Sequence, residues 1–193
     1  METIILKDRI TNAMSDEEFL WFCQENKDLR IERNSKLEIV LMSPTNAFSG
    51  KINTEILRQL SNWNFEEEKG EVFDSSTGFT LPDRSVLSPD ASWVSSEKWE
   101  SLSEGDQYRF APLCPEFVIE IMSKTDHLEE LQKKMKIWIA NGATLAWLLD
   151  PSKKITHIYR PDGSVEKITG FDKEIKGEGL LDGFILDLSL IKL

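Results

Sequence analysis

Asp90 follows Pro89 at the entrance of a short apolar stretch, Ala91-Ser92-Trp93-Val94. Glu120 sits inside the run Phe117-Val118-Ile119-Glu120-Ile121-Met122, and Lys134 lies on the amphipathic segment that comes next. A carboxylate within a buried strand is costly unless it is paired, protonated or bound to a cation. Two carboxylates brought side by side make a site for a hard divalent metal. Mg²⁺ in particular takes one or two carboxylates and completes its shell with waters and phosphate oxygens. A nearby ammonium can stabilise developing negative charge or orient an attacking water. Together, the three residues could assist hydrolysis of a phosphate ester.

Helix geometry selects among the lysines. At about 100° per residue, Lys133 points away from the stripe Leu131/Met135/Trp138, and Lys136 also lies on the outer side. Gln132 and Lys134 occupy the two shoulders of the stripe, from which a side chain can reach a sheet edge. Lys134 is therefore the candidate, with Gln132 behind it. Each residue alone has a plainer reading: Asp after Pro is a common turn residue, a strand Glu can pair with an Arg, and a helix Lys is ordinarily solvated. His127 and His157 read as a helix-start and a strand-surface residue rather than ligands, and Asp126 as a helix cap. The six tryptophans read as core rather than as a stacking platform.

The elements that must position these residues are legible from patterning. Ser15-Asp16-Glu17-Glu18 is a capping box that opens a first helix. Leu29–Arg33 and Leu37–Met42 form two strands of a hairpin turning at Asn34-Ser35. A second helix from about Ser49 to Trp63 buries Ile52, Ile56, Leu57, Leu60 and Trp63. Glu71–Phe73 and Thr77–Leu81 could pair as strands. Phe117–Met122 reads as a central strand buried on both faces. A helix over Asp126–Asn141 follows, and then a strand over Thr144–Leu149. This β-α-β order predicts two parallel neighbours. Ile155–Tyr159 and Val165–Ile168 make a hairpin through Pro161-Asp162-Gly163, and Phe184–Leu188 a short tail strand.

With 193 residues the expectation is one domain over 1–193, its first 28 residues a helical extension. Two cysteines and two histidines argue against a disulfide scaffold or a His-rich zinc site. The absence of a signal-like or membrane-length apolar run leads to an expected cytoplasmic location without membrane association. Lys+Arg number 23 against 34 Asp+Glu, a net charge of −11, so phosphate neutralisation by a broad basic face is excluded as the main source of affinity for nucleic acid. Acids that hold metal ions are compatible with that balance.

Ser88-Pro89-Asp90-Ala91-Ser92-Trp93-Val94 and Pro115 through Ser123 resemble the two signature strands of the Uma-type restriction endonuclease family. Leu131 to Met135, Asn141-Gly142-Ala143 and Trp147 to Pro151 resemble its helix and following strand. The likeness runs in order from about Glu32 to the end of the chain. That family is similar to the PD-(D/E)XK nucleases. The resemblance implies an α/β fold with a central mixed sheet flanked by helices, and a Mg²⁺- or Mn²⁺-dependent endonuclease acting on DNA. Its products would carry a 5′-phosphate and a 3′-hydroxyl. Asp90 matches the Asp of the PD element and Glu120 the acid of the next core strand; both would hold the metal. The usual lysine position two residues on is Met122 here, a departure, and Lys134 fits the variant in which the following helix supplies it. A helix-borne Glu often completes such sites; Glu55 is the candidate, with Glu32 and Glu38 as alternatives from the first hairpin.

Two further readings stay open. One is a catalytically inactive module on the same fold that binds nucleic acid or protein. The other is an assembly unit, such as a homodimer, covered by its Trp and Phe residues. No helix-turn-helix or zinc finger is present, so target selection would fall to loops such as Glu97–Pro112 or to a partner.

Overall fold

A computed structural model describes Thr3–Leu6 and residues 14–192. Two sheets carry most of the chain. The larger has six strands: β4 (Gly70–Asp74), β7 (Ala91–Ser95), β8 (Phe117–Ile121), β9 (Leu145–Asp150), β10 (Ile155–Tyr159) and β11 (Val165–Thr169), in the order β11-β10-β9-β8-β7-β4. β8 and β9 are parallel and the other neighbours antiparallel. The smaller, antiparallel sheet runs β1 (Thr3–Leu6), β3 (Ile39–Met42), β2 (Arg30–Arg33), β6 (Val86–Leu87) and β5 (Phe79–Thr80).

Helices cover the two faces of the larger sheet; two short ones, α3 (Ser96–Glu100) and α4 (Glu104–Gln107), lie between β7 and β8 in the chain. β8 alternates as a strand must. Phe117, Ile119 and Ile121 join Ile52, Ile56, Leu60 and Trp63 of helix α2 (Ala47–Glu67) in one core. Val118 joins Met135 and Trp138 of helix α5 (Leu128–Ala140) in the other. α5 is the crossover between the parallel pair β8 and β9, as the β-α-β order requires. Its C-cap is Asn141, followed by Gly142 at φ +116°, a conformation that suits glycine. Helix α1 (Asp16–Glu25) begins with the expected capping box: Ser15 Oγ accepts from Glu18 N–H, and Glu18 Oε2 from Ser15 N–H. It seats Phe19 under the smaller sheet beside Ile39 and Val86.

Several expectations need correction. β4 does not pair with the segment after it. An Asp74 turn, whose Oδ1 accepts from Ser76 N–H, sends the chain to the other sheet. β4 then pairs with β7, and β5 with β6. The N-terminal segment is not simply a helical extension, since it contributes β1 as well as α1; residues 7–13 lie outside the described residues. α2 extends beyond Ser49–Trp63 at both ends, from an Asn46 cap to Glu68 at φ +51°. Asp126 does not cap α5. His127 occupies the cap position without a side-chain bond, and Asp126 Oδ2 accepts instead from Ser123 N–H.

Candidate active site

The sheet register brings the two acids together. β7 and β8 pair Ala91 with Ile119, and one step further along the same register sets Asp90 beside Glu120. Asp90 Oδ2 accepts from Ile121 N–H at 2.7 Å, which fixes the carboxylate across the strand gap. Glu120 is 4% exposed and faces α5. Its Oε1 accepts from Trp138 Nε1 at 2.9 Å and lies 2.9 Å from Lys134 Nζ. Lys134 and Trp138, one turn apart, thus hold one carboxylate oxygen between them.

Lys134 is fully engaged. Besides Glu120 it donates to Glu32 Oε1 at 3.0 Å and to the Ser88 carbonyl at 3.2 Å. Ser88 N–H in turn donates to Glu32 Oε1 at 3.0 Å. The residue two before the PD aspartate and the hairpin glutamate are therefore tied to the same ammonium. Lys133 and Lys136 are exposed, as the helix geometry requires.

Charge and burial set the protonation states. Burial pushes the Asp90 carboxyl above its ordinary value, against the pull of the Ile121 amide, Lys134 and Arg30. Burial pushes Glu120 up to about 7; the Asp90 and Glu32 charges add to the rise, and Lys134 opposes it. Burial alone would lower Lys134, but the Glu120 and Glu32 carboxylates outweigh it and hold the ammonium above its usual range. Lys134 is thus a fixed cation rather than a proton acceptor.

A cleft of about 160 Å³ opens on this group, lined also by Arg30, Asp126, His127 and Glu130. Arg30 had no role in the sequence reading. It donates to Thr45 Oγ1 at 2.7 Å and to the Ser75 carbonyl at 3.2 Å, which holds its charge toward Asp90. The period-2 spacing Arg30-Ile31-Glu32 was the available signal, since it sets both charged side chains on one face of β2. Trp138 was read only as core; its place four residues after Lys134 was the signal for its second role.

The other candidates sit elsewhere. Glu55 accepts from Arg58 and Gln59 on α2 and lines a shallow depression with Leu190 and Lys192. It is about 200° around the helix from Asn53, which with Ser49 lines the cleft on the Asp90 side. Glu38 pairs with Asn34 Nδ2 in the hairpin turn. Gln132 is not part of the cleft wall. Met122, at the usual lysine position, packs among the apolar residues under α5.

The donor set suits a hard cation. Asp90 Oδ1 and Glu120 Oε2 accept no hydrogen bond from the described residues, while their partner oxygens are held. Two adjacent carboxylates, each raised by burial, are a pair that a divalent ion would relieve. No group of three or more His, Cys, Asp and Glu side chains is arranged to hold a metal among the described residues. A cation here would have two protein carboxylates, with waters or phosphate oxygens as its remaining ligands, which fits Mg²⁺ or Mn²⁺ better than a closed structural site.

Sheet, crossover helix and paired acids at one strand end define a protein of the restriction-endonuclease-like nuclease fold. The fold matches the crystal structure of a "putative nuclease belonging to DUF820" from Anabaena variabilis ATCC 29413, with a TM-score of 0.73 over 92% of this chain and 97% of that one, at 18% identity. The chain belongs to the Uma2 family, described as "putative restriction endonuclease", whose model matches residues 16–189. No curated protein matches it. Among the described residues, no helix is long and apolar enough to cross a membrane.

Proposed function

We propose that the protein is a divalent-metal-dependent endonuclease that hydrolyses DNA phosphodiester bonds. The observation that carries this reading is the pairing of Asp90 with Glu120 at the end of the central strands, each with one oxygen that accepts no hydrogen bond from the described residues, beside an ammonium that stays charged. Asp90 and Glu120 would hold Mg²⁺ or Mn²⁺. Bound there, the ion would polarise a phosphoryl oxygen and acidify a water. Lys134 supplies fixed positive charge against the pentacovalent transition state, and its bonds to Glu32, Glu120 and Ser88 keep it in place with no reorganisation. Glu32 and Trp138 are positioning residues: the first holds the ammonium, the second directs the Glu120 carboxylate. Arg30 supplies a second cation to the cleft lining.

Incubation of supercoiled DNA with Mg²⁺ or Mn²⁺ tests this. Wild type is expected to nick or linearise it, and Asp90→Ala, Glu120→Ala and Lys134→Ala to lose roughly a hundredfold or more in rate. Full metal-dependent cleavage by both carboxylate variants would sink the mechanism.

A further inference from the structure

A second cleft, about 580 Å³, adjoins the carboxylate cleft and shares Arg30, Met42 and Ser88 with it. The two differ in the sign of their charge. Acids outnumber cations around the carboxylate cleft, whereas here Lys27 and Arg30 face a single acid, Asp28. That surplus is local, on a chain whose net charge is −11. A protein so acidic must hold a polyanion through local cations rather than through a broad basic face. The cleft on the other flank of Asp90 is unsuited to that task, since its lining carries Asp90 and Glu130 and no lysine or arginine.

Arg30 itself is the second feature. Arg33, Arg58, Arg109 and Arg160 each pair with a carboxylate. Arg30 pairs with none among the described residues. Its Nη1 donates to Thr45 Oγ1 at 2.7 Å and its Nη2 to the Ser75 carbonyl at 3.2 Å, and both acceptors are neutral. These bonds hold the guanidinium in place without cancelling its charge. They also leave donors over: Nε–H and one N–H on each terminal nitrogen have no acceptor among the described residues. A fixed planar cation with spare donors and no carboxylate partner is suited to a phosphate. Two hydroxyls stand beside it. Thr45 Oγ1 accepts from Arg30, so its own hydrogen is available to a ligand. Ser88 uses its backbone N–H and carbonyl for Glu32 and Lys134, while its hydroxyl bonds to none of the described residues.

We infer that this cleft seats a backbone phosphate of the DNA strand that flanks the one held at Asp90 and Glu120, with Arg30 as its main donor and Lys27 as a further cation. The inference rests on the reading of the carboxylate pair as a DNA-cleaving site. Ser88 lines both clefts and lies two residues before Asp90, so a strand that leaves the acids past Ser88 meets Arg30 next. The contact is to the sugar-phosphate backbone, so it adds affinity and register without reading bases.

The test is binding of a short fluorescein-labelled DNA duplex by anisotropy, with fixed Ca²⁺ and a KCl series, alongside Mn²⁺ calorimetry. Arg30→Gln is expected to weaken duplex binding about tenfold and to lower the slope of log affinity against log salt by about one. Lys27→Gln should weaken it by about threefold, with a smaller change of slope. Arg30→Lys keeps the charge and should restore the slope, which a merely structural Arg30 would not do. Lys167→Gln, on β11 and outside these clefts, makes the same change of net charge and should bind as wild type does. Mn²⁺ affinity should not fall in Arg30→Gln, which removes a cation and no metal ligand. Should Arg30→Gln fail to fold, the exposed Lys27→Gln carries the comparison. Wild-type affinity and slope in the folded Arg30 and Lys27 variants overturn the inference. So does an equal loss in Lys167→Gln, or a wild type that binds no duplex. If Asp90→Asn keeps wild-type Mn²⁺ binding while Arg30→Gln loses duplex, the phosphate seat stands and the metal reading falls.

Discussion

Lys134 is the residue on which the local electrostatics turn. It neutralises two buried carboxylates, Glu32 and Glu120. Its replacement by Met keeps the volume but leaves both acids unpaired. Lys134→Met is expected to cost about 3 kcal/mol in chemical denaturation. The Glu32→Gln/Lys134→Met/Glu120→Gln triple variant should recover most of that loss, because the uncompensated charges are gone. A triple variant as unstable as the single would show that packing, not charge, is what Lys134 supplies. Cys114 tests burial in the same way. Burial pushes its thiol up to about 12, with Lys98 opposing. The raised value means the folded protein keeps the proton that the unfolded chain releases near pH 9. Stability should therefore be intact below about pH 9 and fall as pH rises toward 12, more steeply in wild type than in Cys114→Ala. Equal slopes in the two proteins would contradict this.

At the scale of elements, two local devices aim the site. Gly70 starts β4 against Trp93: a Cβ there would lie 2.2 Å from the Val94 carbonyl oxygen and 2.6 Å from the Trp93 ring. Gly70→Ala is expected to cost about 2 kcal/mol by overpacking, read from denaturant midpoints. A neutral effect would mean that β4 is free to slide on β7. Asn46 caps α2, and Asn46→Ala should cost about 1 kcal/mol; no change in melting would mean that the bond to Ser49 contributes nothing to stability. The sequence made elements legible where a period was long and uninterrupted. The strand around Glu120 and the parallel β8–β9 pair rest on continuous apolar runs, and the crossover helix on an unbroken apolar stripe. Pairing partners were less legible: an Asp74 turn decides whether β4 folds back or leaves the sheet, and that choice lies in a side-chain bond rather than in hydrophobicity. The same holds at the site. Asp90, Glu120 and Lys134 were readable because acids in apolar strands are conspicuous and helix phase sorts lysines. Glu55 was favoured for its residue type, yet its phase on α2 puts it with Arg58, and the unremarkable Asn53 takes the cleft side.

Over the whole molecule, the proposed function sets a strongly acidic chain against a polyanionic substrate. A net charge of −11 repels DNA at long range. Under the proposed function, local compensation would come from Lys134 and Arg30, with a divalent ion held between the acids. Duplex binding should therefore strengthen markedly with Ca²⁺ and respond weakly to monovalent salt, since few lysines and arginines face the cleft. A steep salt slope in the absence of divalent ions would place the DNA on another surface. The central claim is that Asp90 and Glu120 form a cation site, and its most direct test is calorimetric titration of Mn²⁺ into wild type and Asp90→Asn. Wild type should show a saturable site, and the variant at least about tenfold weaker binding with its fold unchanged. The same Mn²⁺ affinity in both proteins would contradict the account.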